Sequence, residues 1–120
     1  MTEFRFDAPG AVFFRPEGPL DAIGVLDAAG HIEALSEPGI DHITVDLRDV
    51  PFMDPSGLGL LVDIAKRMKM RRGEFVIRGI AGQPLRMLQQ LKLTRPLNVH
   101  PAAAIGDRAD DGFMPLAQAA

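Results

Sequence analysis

Residues 42–73 read HITVDLRDVPFMDPSGLGLLVDIAKRMKMRRG, and this stretch decides the fold. Ile43, Val45 and Leu47 alternate with Thr44, Asp46 and Arg48. A period of two with β-branched residues specifies a strand over 42–48. A short link over 49–53 follows, and then the period changes. Over 55–72 the apolar positions Leu58, Leu61, Val62, Ala65 and Met68 form a stripe at helical spacing. Asp63, Lys66, Arg67, Lys69 and Arg71 lie mostly opposite. Gly73 stops the helix, and the basic residues of its last turn meet the negative end of the helix dipole.

The same alternation extends in both directions. Upstream, residues 4–7 and 11–15 read as two strands joined at Pro9-Gly10. Pro16, Gly18 and Pro19 end the second one. Over 23–35, Ile23, Leu26, Ala29, Ile32 and Leu35 recur at helical spacing. Gly24 and Gly30 weaken that helix by about 1 kcal/mol each relative to Ala. Downstream, residues 75–77 predict a strand. Pro84 opens a helix with Leu85, Leu88 and Leu91 on one face, and residues 97–100 predict a last strand. A short helix could begin over 102–105. The order β-β-α-β-α-β-α-β places the chain in the α/β class. It implies a single mixed, largely parallel sheet of four to five strands with helices mainly on one face. The expected core is Ile43, Val45, Leu47, Leu61, Val62, Ala65, Ile77, Leu88 and Leu91. One domain over 1–106 is expected, followed by a loosely ordered Ala-, Asp- and Gly-rich tail over 107–120.

Composition narrows the function. The 120 residues are 47% hydrophobic and 24% charged, as in an ordinary soluble domain. With 13 Lys and Arg against 16 Asp and Glu, the net charge is −3, which argues against a general nucleic-acid binder. Cysteine is absent, so disulfides, thiolate chemistry and cysteine-bound metals are excluded. No apolar run approaches the roughly 20 residues of a membrane span, and the start MTEFRFDAPG has no signal-peptide core. A cytoplasmic protein without membrane insertion is expected.

The informative chemistry lies at Phe52-Met53-Asp54-Pro55-Ser56-Gly57-Leu58-Gly59. Asp54 suits an N-cap and Pro55 the first helical position. Ser56 then falls in the first turn, among backbone N–H groups without intrahelical partners. A phosphate on its hydroxyl would sit at the positive end of the dipole. Gly57 and Gly59 would let another protein approach closely. The plainer reading is a capping serine with small residues packed under a loop, and the residues alone leave both readings open.

The run Ile43-Thr44-Val45-Asp46-Leu47 through Asp54-Pro55-Ser56-Gly57-Leu58-Gly59-Leu60-Leu61 resembles the signature of STAS domains, particularly bacterial anti-sigma factor antagonists. Arg71-Arg72-Gly73, the strand after it, and Pro84-Leu85-Arg86-Met87-Leu88-Gln89-Gln90-Leu91 fit the same pattern. Gly18-Pro19-Leu20-Asp21 resembles the family's Gly-Glu-Leu-Asp, with Pro19 in place of the acidic residue. The resemblance covers residues 4–105. It implies that Ser56 is the phosphoacceptor and that Asp21, Asp54, Pro55, Gly57, Leu58 and Gly59 meet the partner. The implied partners are an anti-sigma factor that is also a serine kinase, and a PP2C-type phosphatase that resets the switch. Pro55 stands where the family usually has a small residue, which removes one alternative acceptor and one backbone donor.

Other classes compete. Some STAS domains are regulatory subunits of phospholipid-transporting ABC systems, with a similar site that need not be phosphorylated. An enzyme would need a base beside Ser56. Asp-Pro-Ser-Gly-Leu is not the Gly-x-Ser-x-Gly elbow. His31 falls mid-helix. His42 begins the strand leading to the site, roughly 20 Å away at about 3.3 Å per residue, so only His100 could reach the same edge. Gly57-Leu58-Gly59-Leu60-Leu61-Val62 lacks the third glycine of a dinucleotide loop. Asp46, Asp49 and Asp54 read as solvated or capping groups, not a metal cluster. The basic run over 66–72 reads as a solvated helix face, or else as a docking site for an acidic partner. No catalysis, no metal and no cofactor are therefore expected. Ser36, the only other serine, falls near a helix C-terminus, the unfavourable end of the dipole for a phosphate.

Overall fold

The protein is described by a computed structural model covering residues 2–35 and 37–102. Ser36, nearly all of the short helix expected over 102–105 and the tail over 107–120 lie outside the described residues. The elements are β1 (Glu3–Ala8), β2 (Ala11–Arg15), α1 (Ala22–Ala34), β3 (His42–Asp46), α2 (Pro55–Met70), β4 (Glu74–Ile80), α3 (Gly82–Gln90) and β5 (Val99–Pro101). They build one five-stranded sheet in the order β1-β2-β3-β4-β5. β1 runs antiparallel to β2, and the remaining neighbours are parallel. The expected mixed, mostly parallel α/β sheet is what forms. Its topology fixes where a site can be. The C-terminal ends of the parallel strands share one edge, and α1, α2 and α3 all start there. In open α/β sheets that edge is where binding residues collect.

Alternation along the strands sorts the two faces. Val12, Phe14, Ile43, Val45, Phe75 and Ile77 point into the core. They meet Ala28 of α1, Leu60, Leu61, Ile64 and Met68 of α2, and Leu88 of α3. The opposite face is more polar. There Phe13 is covered by the Arg5 guanidinium, 4.0 Å from its ring centroid, a cation–π contact. Leu61 is fully buried beneath both layers. Leu61→Ala should therefore lower stability by about 2–5 kcal/mol, a loss that urea denaturation will measure.

The structure corrects the expected core on α2 and α3 and the apolar stripe read on α1. On α2 the buried positions are Gly57, Leu60, Leu61, Ile64 and Met68, while Leu58, Val62 and Ala65 are half-buried. The helix lies against both the sheet and α1, so its apolar arc is wider than a single stripe and centred elsewhere. Leu91 is half exposed because α3 ends at Gln90 and Leu91 is its C-cap. The largest departure is α1. Ile23 and Leu26 are 70% and 73% exposed. Ala28 is buried, Val25 and Ile32 are partly buried, and Leu35 is fully buried. The inward face of α1 is therefore the one that carries Ala28, with Ile23 and Leu26 turned outward. Gly24 is needed for a local reason: a Cβ there would stand 2.2 Å from the Pro19 carbonyl oxygen.

Two carboxylates read as solvated are engaged. Asp46 is 1% exposed. Arg48 Nε donates to its two oxygens at 3.0 and 3.1 Å, and the Arg78 guanidinium lies 3.9 Å away. Such a buried carboxylate needs this pairing. Asp49 accepts from Arg15 Nε at 2.6 Å. That hydrogen bond holds Asp49 below the usual carboxylate range. The folded-state pKa is thus lower than the unfolded one. The stabilisation is present above about pH 4 and is lost as pH falls through the lowered value. Both side chains are about one-third exposed, so water screens the pair to at most about 1 kcal/mol. The stability gap between wild type and Asp49→Asn should close below about pH 4 in denaturant titrations.

Candidate functional site

Two helix starts lie side by side at the C-terminal edge of the sheet. Leu20 and Met53 form a parallel bridge, with the Leu20 N–H donating to the Phe52 carbonyl at 2.9 Å. Each is followed by an aspartate cap. Asp21 Oδ1 accepts from the Gly24 N–H at 2.9 Å and starts α1. Asp54 Oδ1 accepts from the Ser56 and Gly57 N–H groups at 2.8 and 3.2 Å and starts α2, with Pro55 in its first turn. Each cap satisfies donors that the helix leaves unpaired. Both therefore lock the direction in which the first turn points.

The two starts are packed too tightly to admit side chains between them. A Cβ on Gly57 would stand 2.1 Å from the Leu20 carbonyl oxygen and 2.9 Å from Met53 Cγ. Met53 itself is fully buried. Its backbone is held on both sides by one residue: Gln83 Oε1 accepts from the Met53 N–H at 2.8 Å, and Gln83 Nε2 donates to the Met53 carbonyl at 2.8 Å. Gln83 belongs to the first turn of α3, so this pair of bonds ties the third helix start to the other two. Nothing in the sequence signals this role, since a lone Gln between Gly82 and Pro84 carries no pattern that points back 30 residues.

What this frame presents is Ser56. Its backbone N–H is engaged by the Asp54 cap while its side chain is exposed. The hydroxyl stands in the first turn of a 16-residue helix, where the dipole contributes about half a positive charge. Its cap Asp54 is half-buried, as is Asp21, which follows the strand-like bridge of Leu20 to Met53. Pro55 and Gly59 are exposed with Ser56, and a Cβ on Gly59 would meet nothing within 4 Å. On the flank toward α3, a shallow cleft is lined by Phe52, Asp54, Pro55, Gln83, Arg86 and Gln90.

The sequence-predicted residues therefore separate into two sets. Asp21, Asp54, Pro55, Ser56 and Gly59 come together on one accessible edge. Gly57 is buried and Leu58 half-buried against the core. The missing side chain of Gly57 makes room for the chain's own Leu20 carbonyl, not for a neighbouring protein. The basic run is also partly spent within the fold. Arg71 Nη1 donates to the carbonyls of Leu35, Glu37 and Ile40 at 3.1, 3.2 and 2.9 Å, which pins the α1–β3 connection. Arg67 pairs with Asp63 at 3.1 Å. His42 lies at the far end of β3, 3.6 Å from Glu74 Oε1. His100 Nε2 is 3.0 Å from Asn98 Oδ1. Among the described residues no group of three or more His, Asp or Glu is placed to hold a metal ion, and no helix is long and apolar enough to cross a membrane.

Comparison with known proteins agrees with this frame. The STAS domain model matches residues 7–104. The anti-sigma factor antagonist SpoIIAA in its unphosphorylated form superposes with a TM-score of 0.66 at 18% identity, over 89% of this chain and 92% of that one. The Bacillus cell fate determinant SpoIIAA in its phosphorylated form gives 0.69 at 19% identity, over 87% and 93%. A sulfate transporter family protein from Wolinella succinogenes gives 0.64 at 18% identity, over 80% of each chain. At these identities the solved structures establish the shared architecture. The family model spans nearly the whole described domain, and the chain belongs to the STAS domain family.

Proposed function

We propose that this chain is a phosphorylation-switched protein-binding module, an anti-sigma factor antagonist whose switch is Ser56. In its unphosphorylated form it binds an anti-sigma factor that is also a serine kinase. Phosphate on Ser56 breaks the complex, and a PP2C-type phosphatase restores it. The chain itself performs no catalysis and needs no metal or cofactor in this reading. The observation that carries it is the exposed Ser56 hydroxyl in the capped first turn of α2. Support comes from the fold shared with SpoIIAA, a protein solved in both unphosphorylated and phosphorylated forms.

The chemistry of such a switch is local. A phosphate adds about −1.5 to −2 charges. Within the domain the helix dipole offsets part of that charge, so the fold tolerates it. A partner surface shaped for a neutral hydroxyl does not. Incubation with the cognate kinase and ATP, followed by mass spectrometry, should place one phosphate on Ser56 and none on Ser56→Ala. Ser56→Ala should keep partner binding. Phosphate on Ser36 or a threonine instead would overturn the assignment. The alternative that the resemblance implies is a regulatory subunit of a phospholipid-transporting ABC system; stable co-purification with a transport ATPase, and no kinase binding, would move the chain to that class.

A further inference from the structure

α1 exposes two large aliphatic side chains that the fold does not use. Ile23 and Leu26 are 70% and 73% exposed, three residues apart and so on one face of the helix. Their position relates them to Ser56. Ile23 lies two residues after the Asp21 cap, and the Leu20–Met53 bridge sets that cap beside the start of α2. Between α1 and α2 lies a shallow groove lined by Val25, Ala29, Gly30, Glu33, Leu60 and Arg67. The charges around it are mostly acidic. α1 carries Asp27 and Glu33 and neither Lys nor Arg. Asp21 and Asp54 cap the two helices, and Arg67 is paired with Asp63.

Resting on the reading of Ser56 as the switch, we infer that the outer face of α1 is the second half of the docking surface, with Ile23 and Leu26 as its apolar anchors. The occupant is the surface of the anti-sigma kinase, apolar where it meets Ile23 and Leu26 and basic around them to match Asp21, Asp27, Glu33 and Asp54. The arrangement suits the economy of an interface. Most affinity comes from a few anchors that leave water completely, while charges at the rim govern encounter and its salt dependence. It also separates affinity from switching: the α1 anchors hold the partner and Ser56 decides whether it can stay.

The test uses the full chain and the anti-sigma serine kinase purified from the same organism. Leu26→Lys should weaken binding by about 30-fold or more, the range of an interface hot spot, and Ile23→Lys should act in the same direction. Met70→Lys makes the same kind of change on a side chain 87% exposed at the other end of α2, and it should bind as wild type does. All three should keep wild-type circular dichroism and melting temperature, since none of these side chains is buried. Asp27→Lys should slow association at low salt and flatten its salt dependence. Leu26→Lys binding as tightly as wild type, with Ser56 still phosphorylated, would overturn this inference and leave the switch standing. A wild-type chain that the kinase neither binds nor phosphorylates would overturn both. A wild-type dimer in sedimentation that Leu26→Lys makes monomeric would show that a second copy covers the face, and would overturn the assigned occupant.

Discussion

Ser56→Asp is expected to weaken binding of the anti-sigma kinase by at least about a hundredfold while leaving the free domain folded. The two halves of that expectation have separate physical sources. In the free domain Ser56 is exposed, so a carboxylate there keeps its water. It also sits at the positive end of α2, where a negative charge is favourable by about 0.3–1 kcal/mol. Asp54 keeps accepting from the first-turn N–H groups, so the helix start does not depend on the hydroxyl. In the complex the balance reverses. The added charge lies beside the Asp54 cap and loses its solvent against a surface that has no partner for it. Leaving a charge desolvated and unpaired costs several kcal/mol, and about 2.8 kcal/mol already corresponds to a hundredfold. Titration calorimetry measures the binding, and thermal unfolding of the same samples measures the fold. The phosphate, with nearly twice the charge and more bulk, should act more strongly than Asp. Equal binding by wild type and Ser56→Asp, with both folded, would remove Ser56 from the interface.

The sequence carries the local determinants of this site and not the tertiary ones. The period of two at Ile43, Val45 and Leu47 marks β3 because that strand is covered on one face. Asp54-Pro55 marks the start of α2 because capping is decided by neighbours in the chain. Gly73 marks its end for the same reason. What was not legible depends on distant residues. The stripe Ile23, Leu26, Ala29 has helical spacing, but the face that turns inward carries Ala28, with Val25 and Ile32 partly buried, a choice made by packing against distant elements. Asp46 reads as the polar half of an alternating strand, yet Arg48 and Arg78 close over it. The clamp of Gln83 on Met53 joins residues 30 positions apart. Gly57 and Gly59 look equivalent in Ser-Gly-Leu-Gly and are not. One faces the chain and the other faces solvent.

That last contrast gives a prediction in which two identical substitutions, two residues apart, have opposite signs. Both glycines lie in the first turns of α2, neither has a positive φ, and Ala is the better helix former by up to about 1 kcal/mol. At Gly59 nothing lies within 4 Å of the added methyl, so Gly59→Ala should stabilise the domain by up to about 1 kcal/mol. At Gly57 the methyl would stand 2.1 Å from the Leu20 carbonyl oxygen. That atom belongs to backbone and cannot swing aside. Either α2 moves away from the Leu20–Met53 bridge or the bridge opens, and the two aspartate caps lose their fixed spacing. Overpacking of this kind costs about 1–3 kcal/mol. A contact this far inside van der Waals separation, against rigid backbone, belongs at the upper end of that range and outweighs the propensity gain. Gly57→Ala should therefore destabilise by about 2 kcal/mol net, and Gly57→Val by more. Because the bridge also sets Asp21 beside Asp54, Gly57→Ala should lower partner affinity even where the domain remains folded. Urea denaturation of the two Ala variants side by side reads the sign directly. A Gly57→Ala protein as stable as Gly59→Ala would mean that the start of α2 is not held against Leu20, and the frame that presents Ser56 would have to be rebuilt.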